Sequence, residues 1–379
     1  MVLAYLVAAG MSKIGKREES SRELVEEAFR EVLEVVDPRE IEAVYVGVQS
    51  ETYEHQIMYG SLIAEALGLL PREAYRVEAC AAAGALALHN AVLAVRSGLV
   101  DVALAVGVEK MTAKSTQEVT DALMAASDLV DQLSGVTIPA HYAMVARRYM
   151  YLYGATEEDL CAVAVKNHRH ALENPKAHFR KAISVEECLR SKPVATPLKL
   201  LDSAPISDGA ALAVVASERA ARRLTDAPVK ILASTVATDT LSVSQRDDLI
   251  WPRAVYEAAQ RAYRQSGLEP SKIQVAEVHD AFTINEILMY EALGFAERGK
   301  GYLLAREGQT YIGGKIPVNP DGGLKARGHP IGATGLAQIY ELYLQLTGRA
   351  GRRNTGAEIG IAVNEGGVNS TAVVHILSA

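Results

Sequence analysis

Cysteine is scarce in this chain, three residues in 379. Three thiols cannot supply the disulfide framework of a small secreted fold, and the count points to a reducing, cytoplasmic setting. An excess of positive charge is missing too. Lys and Arg total 39 against 46 Asp and Glu, a net charge of −7, which argues against nucleic acid as a partner. Long charge blocks are absent and 49% of the residues are hydrophobic, which excludes a disordered chain. No apolar run reads as membrane-spanning: AAAGALALHNAVLAV, from Ala81 to Val95, is too short and contains His89 and Asn90. The opening MVLAYLVAAG lacks a basic leader and a cleavage-like site, so it reads as a buried first strand. Short-period repeats and low-complexity linkers are absent as well.

What is present is an alternation of strand-length apolar runs and helical patterns. Val2 to Ala9, Ala43 to Val48 and Val102 to Val108 read as strands. Ser21 to Val36 is helical, with Leu24, Val25, Ala28, Val32, Leu33 and Val36 at helical spacing and Pro38 beyond its end; Tyr59 to Leu69 is helical too. From Met111 to Pro193 the chain turns helical, polar and rich in Arg, His, Lys and Tyr. Strands return at Ala210 to Ala216, Val229 to Ala237, Val275 to Val278, Ile359 to Val363 and Thr371 to Leu377. The reading is an α/β protein with a mostly parallel sheet. Its parts are an N-terminal α/β half (1–110 and 196–226), a helical insertion (111–195) and a C-terminal α/β half (227–379).

Four segments carry chemistry. VNPDGGLKARGHPIGATG, Val318 to Gly335, sets five glycines and two prolines around His329. Glycines permit close approach of backbone to ligand, Pro330 biases His329 away from helical dihedrals, and a helix starts near Ala333. VAEVHDAFTINEI ends a strand at His279-Asp280, where α/β proteins place ligand chemistry. Asp280 also reads as the N-cap of the following helix. RVEACAAAGALALHNAVLAVRSG puts Cys80 at a strand–helix junction, where a thiol gains acidity, or is simply a small buried residue. In AVNEGGVNSTAVVHIL a strand ends at Asn364 and turns at Gly366-Gly367, whose amides suit either an oxyanion hole or a plain turn. Cys161 and Cys188 have no partner at metal-ligand spacing, and His168, His170 and His178 read as a solvated surface.

Together these segments resemble the thiolase family over essentially the whole chain. VNPDGGLKARGHPIGATG is similar to its histidine loop, LLDSAPISDGAALAV to its SDGAAA segment, and IPAHYAMVARRYMYLYGAT with KNHRHALENPKAHF to the loop domain of its archaeal and sterol-carrier-linked branch. His279-Asp280-Ala281-Phe282 points to the same branch, which has HDCF there. The resemblance implies a five-layered αβαβα fold of two pseudo-duplicated halves with a helical loop domain that covers coenzyme A. It implies Claisen condensation or thiolysis of acyl-CoA through a cysteine acyl intermediate, with acyl-CoA as substrate and no permanently bound cofactor or metal. In that reading His329 activates Cys80, His279 and Asn364 with Gly366 and Gly367 build oxyanion contacts, and Ser207, Gly323, Leu324 and Ala326 contact coenzyme A. The implied partners are a second copy in a dimer or dimer of dimers, a zinc-ribbon/OB-fold protein and a hydroxymethylglutaryl-CoA synthase.

The sequence departs from the family pattern twice. Ala281 stands where HDCF has cysteine, and Asn364 where other branches have the cysteine of CxGGG. In the family's VEAACASG the nucleophile lies three residues before glycine; against Gly84 that position is Ala81, with Cys80 one residue early. One residue swings a helical side chain by about 100°. Three explanations stand: a local slip that lets Cys80 serve, an alanine introduced by substitution, or a different activity on the same scaffold. The last takes the form of a retro-aldolase on β-hydroxyacyl-CoA or an acyl-CoA-binding subunit of a thiolase–synthase assembly.

Overall fold

The computed structural model describes residues 3–379. Nine strands form its main sheet: β1 (Ala4–Met11), β2 (Ala43–Gly47), β3 (Glu73–Val77), β4 (Val102–Glu109), β7 (Gly209–Ser217), β8 (Val229–Thr238), β9 (Val275–Glu277), β10 (Ile359–Gly366) and β11 (Thr371–Ser378). A short hairpin, β5 (Pro193–Ala195) and β6 (Leu198–Lys199), lies apart from it. The order across the main sheet is β3-β2-β4-β7-β1-β8-β11-β10-β9.

That order is symmetric about the seam between β1 and β8. Outward on one side run β7 (antiparallel), β4 (antiparallel), β2 (parallel) and β3 (parallel). On the other run β11 (antiparallel), β10 (antiparallel) and β9 (parallel), followed by a single parallel bridge from Ala276 to Val318 where a counterpart of β3 would stand. The two halves are therefore one topology used twice. The expected mostly parallel sheet is corrected, since antiparallel ladders outnumber parallel ones. The cause is where the chain re-enters. It leaves β4 at Glu109 and returns beside it, Glu109 opposite Gly209, so β7 must run backwards. β10 and β11 are joined by a tight turn with the same consequence.

Strand alternation builds the layers. On β4, Val102, Leu104, Val106 and Val108 face an outer layer containing α1 (Ser21–Leu33), while Ala103 and Ala105 face inward. The inward face meets two central helices, α2 (Ala83–Ser97) and α7 (Thr334–Leu346), which also pack on residues of β8, β10 and β11. Beyond the C-terminal half lie α5 (Arg253–Ser266) and α6 (Thr283–Ala292), joined in one core by α3 (Ile138–Tyr153) and α4 (Glu157–Ala171) of the insertion. The two halves of the sheet, joined by a three-residue β1–β8 ladder, both pack on the central helices, so helix, half-sheet, helix, half-sheet, helix gives five layers. Small inward residues let the central helices come close. The stretch Cys80–Ser97 is long and apolar enough, by length and composition, to cross a membrane, and it is this central helix with its leading turn. α1 stops at Leu33, which is exposed, so the expected extension to Val36 is shortened.

The insertion corrects two expectations. Cys161 on α4 and Cys188 on the short helix Val185–Leu189 form a disulfide, their Cα atoms 5.7 Å apart. Their separation of 27 residues concealed a contact that exists only once these helices pack. Asp202 stands beside them, but the two sulfurs are bonded to each other. His168 and His170 are buried rather than solvated. The His168 Nδ1 pairs with the Lys181 carbonyl, His170 is held by the Asn319 carbonyl and the Ile312 amide, and the His178 Nδ1 pairs with Ser207 Oγ.

Both central helices begin with a single 3-10 turn, Cys80–Ala82 and Ile331–Ala333, and these turns meet through glycine. A Cβ on Gly84 or on Gly107 would lie 2.4 Å from the Gly332 carbonyl oxygen, and one on Gly335 2.5 Å from the Ala85 amide. These neighbours are backbone and cannot swing away. Gly84→Ala is therefore expected to cost about 1–3 kcal/mol by overpacking, read as a lowered denaturation midpoint. An unchanged midpoint would show that the helix starts are not in this contact.

Candidate active site

The two helix starts bring four sequence-nominated segments together at one end of the central layer. Cys80 opens the first 3-10 turn with φ +50°, a left-handed conformation unusual for a residue with a Cβ. Its amide donates to Glu78 Oε1 at 2.5 Å. The backbone amides of Gly367 and Ala81 lie on the side of the thiol where they favour its ionised form. Gly366 must be glycine here, since a Cβ would lie 2.3 Å from the Ala79 carbonyl oxygen and 3.1 Å from Cys80 Cβ. The turn thus places Cys80 by those two amides, while Ala81 is buried among Tyr53, Met111 and Ile331. The expected acidification of the thiol is corrected. Burial pushes it up to about 12, with Glu365 and Glu78 adding to the effect against the two amides. At neutral pH this thiol is protonated and needs a base.

His329 lies just before the second 3-10 turn. Thr334 Oγ1 donates its hydrogen to the Pro330 carbonyl at 3.0 Å, so it accepts at 2.7 Å from the His329 Nδ1. The proton therefore sits on Nδ1 and Nε2 keeps a free lone pair. The His329 amide donates to Ser207 Oγ at 3.2 Å. Burial, with His279 and Arg327 adding, holds the imidazole neutral, well below its usual range. His279 meets it edge to face, ring centroids 5.2 Å apart.

His279 lies at the end of β9 with Asn364 Nδ2 3.0 Å from its Nδ1. Burial and then Arg327 lower its pKa to about 3. Asp280 does not cap the helix that follows it: α6 begins at Thr283 with no side-chain cap. Its carboxylate instead accepts the amides of Leu324 (2.7 Å) and Lys325 (3.2 Å), tying the histidine loop to β9. Ser207, Gly323, Leu324 and Ala326, nominated for coenzyme A, are all buried. Ser207 Oγ serves His178, His329 and Pro205, and Asp280 and Asp321 hold the Gly323–Leu324 turn. Ala281 is buried beside Phe282, on which Tyr142 stacks at 4.7 Å.

Two carboxylates were not legible as site residues. Glu109, at the end of β4, accepts the amides of Gln49 and Gly332, both at 2.9 Å, pinning the second helix start; burial raises it to about 8. Glu365, between Asn364 and Gly366, lies 3.3 Å from His279 Nε2. Its only sequence signal was its place inside a glycine turn. An open cleft of about 670 Å³, lined by Leu99, Asp101, Ser217 and Arg219 among others, belongs to the far end of the N-terminal half, where β4 starts and β7 ends, and takes no part in this site.

Comparison with known proteins agrees with this geometry. Residues 4–219 match the family described as thiolase, N-terminal domain, and residues 235–379 the thiolase C-terminal domain-like family. The chain belongs to the thiolase family. It is 45% identical to an acetyl-CoA acetyltransferase of Methanothermobacter thermautotrophicus, the match covering 98% of both chains. It is 38% identical to the benzoylsuccinyl-CoA thiolase subunit BbsB of Thauera aromatica, over 88% of this chain and 86% of the other. Among solved structures, the Ltp2-ChsH2(DUF35) aldolase matches with TM-score 0.85 and 26% identity over 100% of this chain and 98% of that one. The acyl-CoA C-acyltransferase function read from the residues is the one the named thiolase relatives share.

The neutral histidines set the acid stability. His168 is lowered to about 4 and His170, His279 and His375 to about 3, each mainly by burial. Below pH 6.5 the unfolded chain takes up protons that the native chain refuses, so stability falls with pH from 6.5 toward 4. Glu109 and Asp280, raised to about 8 and about 7, act oppositely with the raised Asp202, Glu277, Glu341 and Glu365, but His89, His141, His178 and His329 are lowered too, and eight histidines outnumber six carboxylates. The melting temperature is expected to drop steadily across that range; a rising or flat profile would contradict these buried neutral imidazoles.

Proposed function

We propose that this chain forms and cleaves β-ketoacyl-CoA, acetoacetyl-CoA first among them, with Cys80 as the acyl carrier. The observation that carries the reading is Cys80 opening, at φ +50°, a turn that packs on Gly366 and on the start of the His329 helix, with the Ala81 and Gly367 amides favouring its thiolate. The His329 Nε2 takes the thiol proton, the thiolate attacks the thioester carbonyl, and coenzyme A leaves with the proton returned. The two amides then serve the oxyanion of the tetrahedral intermediate as the sulfur moves onto carbon. Coenzyme A is a substrate in this scheme and not a resident cofactor. The α-carbon proton needs a further base, since Ala281 and Asn364 occupy both positions where the family resemblance would place a second cysteine.

The active unit in this reading is a homodimer. β3 pairs with β2 on one side only, and its free edge carries Tyr75, with exposed Ile57, Met58 and Leu70 preceding it in the chain. An unpaired edge with apolar neighbours favours pairing with a second copy. A small zinc-ribbon/OB-fold protein and a hydroxymethylglutaryl-CoA synthase are the further partners, in the cytoplasm. The solved aldolase neighbour is likewise named with a second component, ChsH2(DUF35).

Peptide-mapped mass after mixing with acetoacetyl-CoA tests the chemistry. An acetyl adduct on Cys80, absent in Cys80→Ala, is expected. No adduct with coenzyme A binding intact would remove the thiolase reading, and Ala81→Cys would then show whether the neighbouring position restores it. Sedimentation tests the dimer: Tyr75→Lys is expected to shift the chain toward monomer, and an unchanged mass would place the interface elsewhere.

A further inference from the structure

Thiolase chemistry without a second cysteine leaves one step unassigned, the removal and return of the α-proton of the acyl-CoA donor. The groups around His279 supply a candidate. Asn364 Nδ2 is a donor, so the His279 Nδ1 that it meets at 3.0 Å is a lone pair. The ring hydrogen is then on Nε2, which lies at ion-pair distance, 3.3 Å, from Glu365 Oε1. The Nε2 side of this imidazole faces a carboxylate and the Nδ1 side carries the lone pair, an arrangement suited to a base.

Glu365 is itself held in place. Its Oε1 accepts from Tyr142 Oη at 2.6 Å and Asn285 Nδ2 at 3.4 Å, and its Oε2 accepts from the Asn369 amide at 2.6 Å. Asn285 also donates to the His279 carbonyl at 2.7 Å. Tyr142 comes from the insertion, Asn285 from α6 and Asn369 from the turn after β10, so three separate elements fix one carboxylate. Asn364 sits where the CxGGG sulfur of other branches would be, and its Oδ1 is buried without a partner. The lone pair of His279 therefore points at the position the missing sulfur would occupy, beside an unfilled polar atom.

We propose that His279 and Glu365 form an acid–base dyad that exchanges the α-proton of the acyl-CoA donor in place of the absent cysteine. This rests on the thiolase reading above. The α-carbon–hydrogen bond breaks and its proton goes to His279 Nδ1, displacing the Asn364 hydrogen bond. The electron pair left on carbon attacks the thioester carbon of acyl-Cys80; a carbon–carbon bond forms, the carbon–sulfur bond breaks, and the thiolate leaves. The Glu365 carboxylate stabilises the imidazolium across Nε2–H. Thiolysis runs the same steps backwards, with His279 returning the proton. Glu365 touches the reacting carbon only through His279 and is a positioning residue; His279 is the catalytic one. The charged and titratable groups facing the dyad are His329 and Arg327 from the histidine loop, Tyr142 from the insertion, Cys80 from the first helix start, and Arg246.

The test is exchange of acetyl-CoA methyl hydrogens with deuterated water, which needs neither carbon–carbon bond formation nor Cys80. Glutamine at 365 keeps an acceptor for Nε2–H without the charge. Glu365→Gln is expected to lower exchange roughly 10²-fold and to move the acidic limb of its pH profile to lower pH, while the Cys80 acetyl adduct still forms. Glu365→Asp is expected to recover part of the rate, and His279→Gln to abolish exchange. Wild-type exchange rates in Glu365→Gln, or no exchange by the wild-type chain, would overturn the dyad. Exchange that depends on both residues without any Cys80 adduct would keep the dyad and remove the thiolase reading.

Discussion

The contact between the two central helix starts is the constraint on which the rest depends. Gly84, Gly107, Gly332 and Gly335 let backbone meet backbone with no side chain between. A helix start offers unpaired amides, and two of them back to back concentrate directed donors in one small volume. Cys80 precedes one start and His329 the other. The duplicated topology places them together, since the same strand order on each side of β1 and β8 delivers each helix to the same depth in the central layer.

Carboxylates that are poor as surface charges secure this arrangement. Glu109 accepts amides from both the β2 end and the second helix start, and Asp280 holds the histidine loop to β9. Each is buried and accepts backbone amides, Asp280 also the Asn167 side-chain amide at 2.7 Å, and a buried polar group satisfied in this way specifies geometry. Glu286 extends the pattern. It pairs with Lys166 at 2.6 Å and accepts from Asn167 and Asn319, joining the insertion to the C-terminal half from beneath the loop. The site is therefore supported from behind by polar contacts and closed in front by amides, and its two histidines are kept neutral between them.

Much of the architecture was legible in the residues. Continuous apolar runs such as Val102 to Val108 specified strands, and the glycine-proline framing of His329 specified a shaped loop before a helix. Asp280 was legible as a cap but not as the cap of a turn 44 residues away. Glu365 was passed over because a carboxylate in a glycine turn carries no period or spacing. The antiparallel returns of β7 and β11 were hidden because alternation of elements does not encode the side on which a long excursion re-enters.

By itself the sequence determined which segments are strands and helices, that two halves exist, and which few residues have chemistry to offer, because periodicity and glycine placement act locally. The tertiary structure alone decided that Cys80 and not Ala81 opens the turn, that Cys161 meets Cys188, and that Glu365 stands 3.3 Å from His279 Nε2. Each is a juxtaposition of residues distant in the chain or a single backbone dihedral. Such choices follow from how layers close on one another, which no local pattern records.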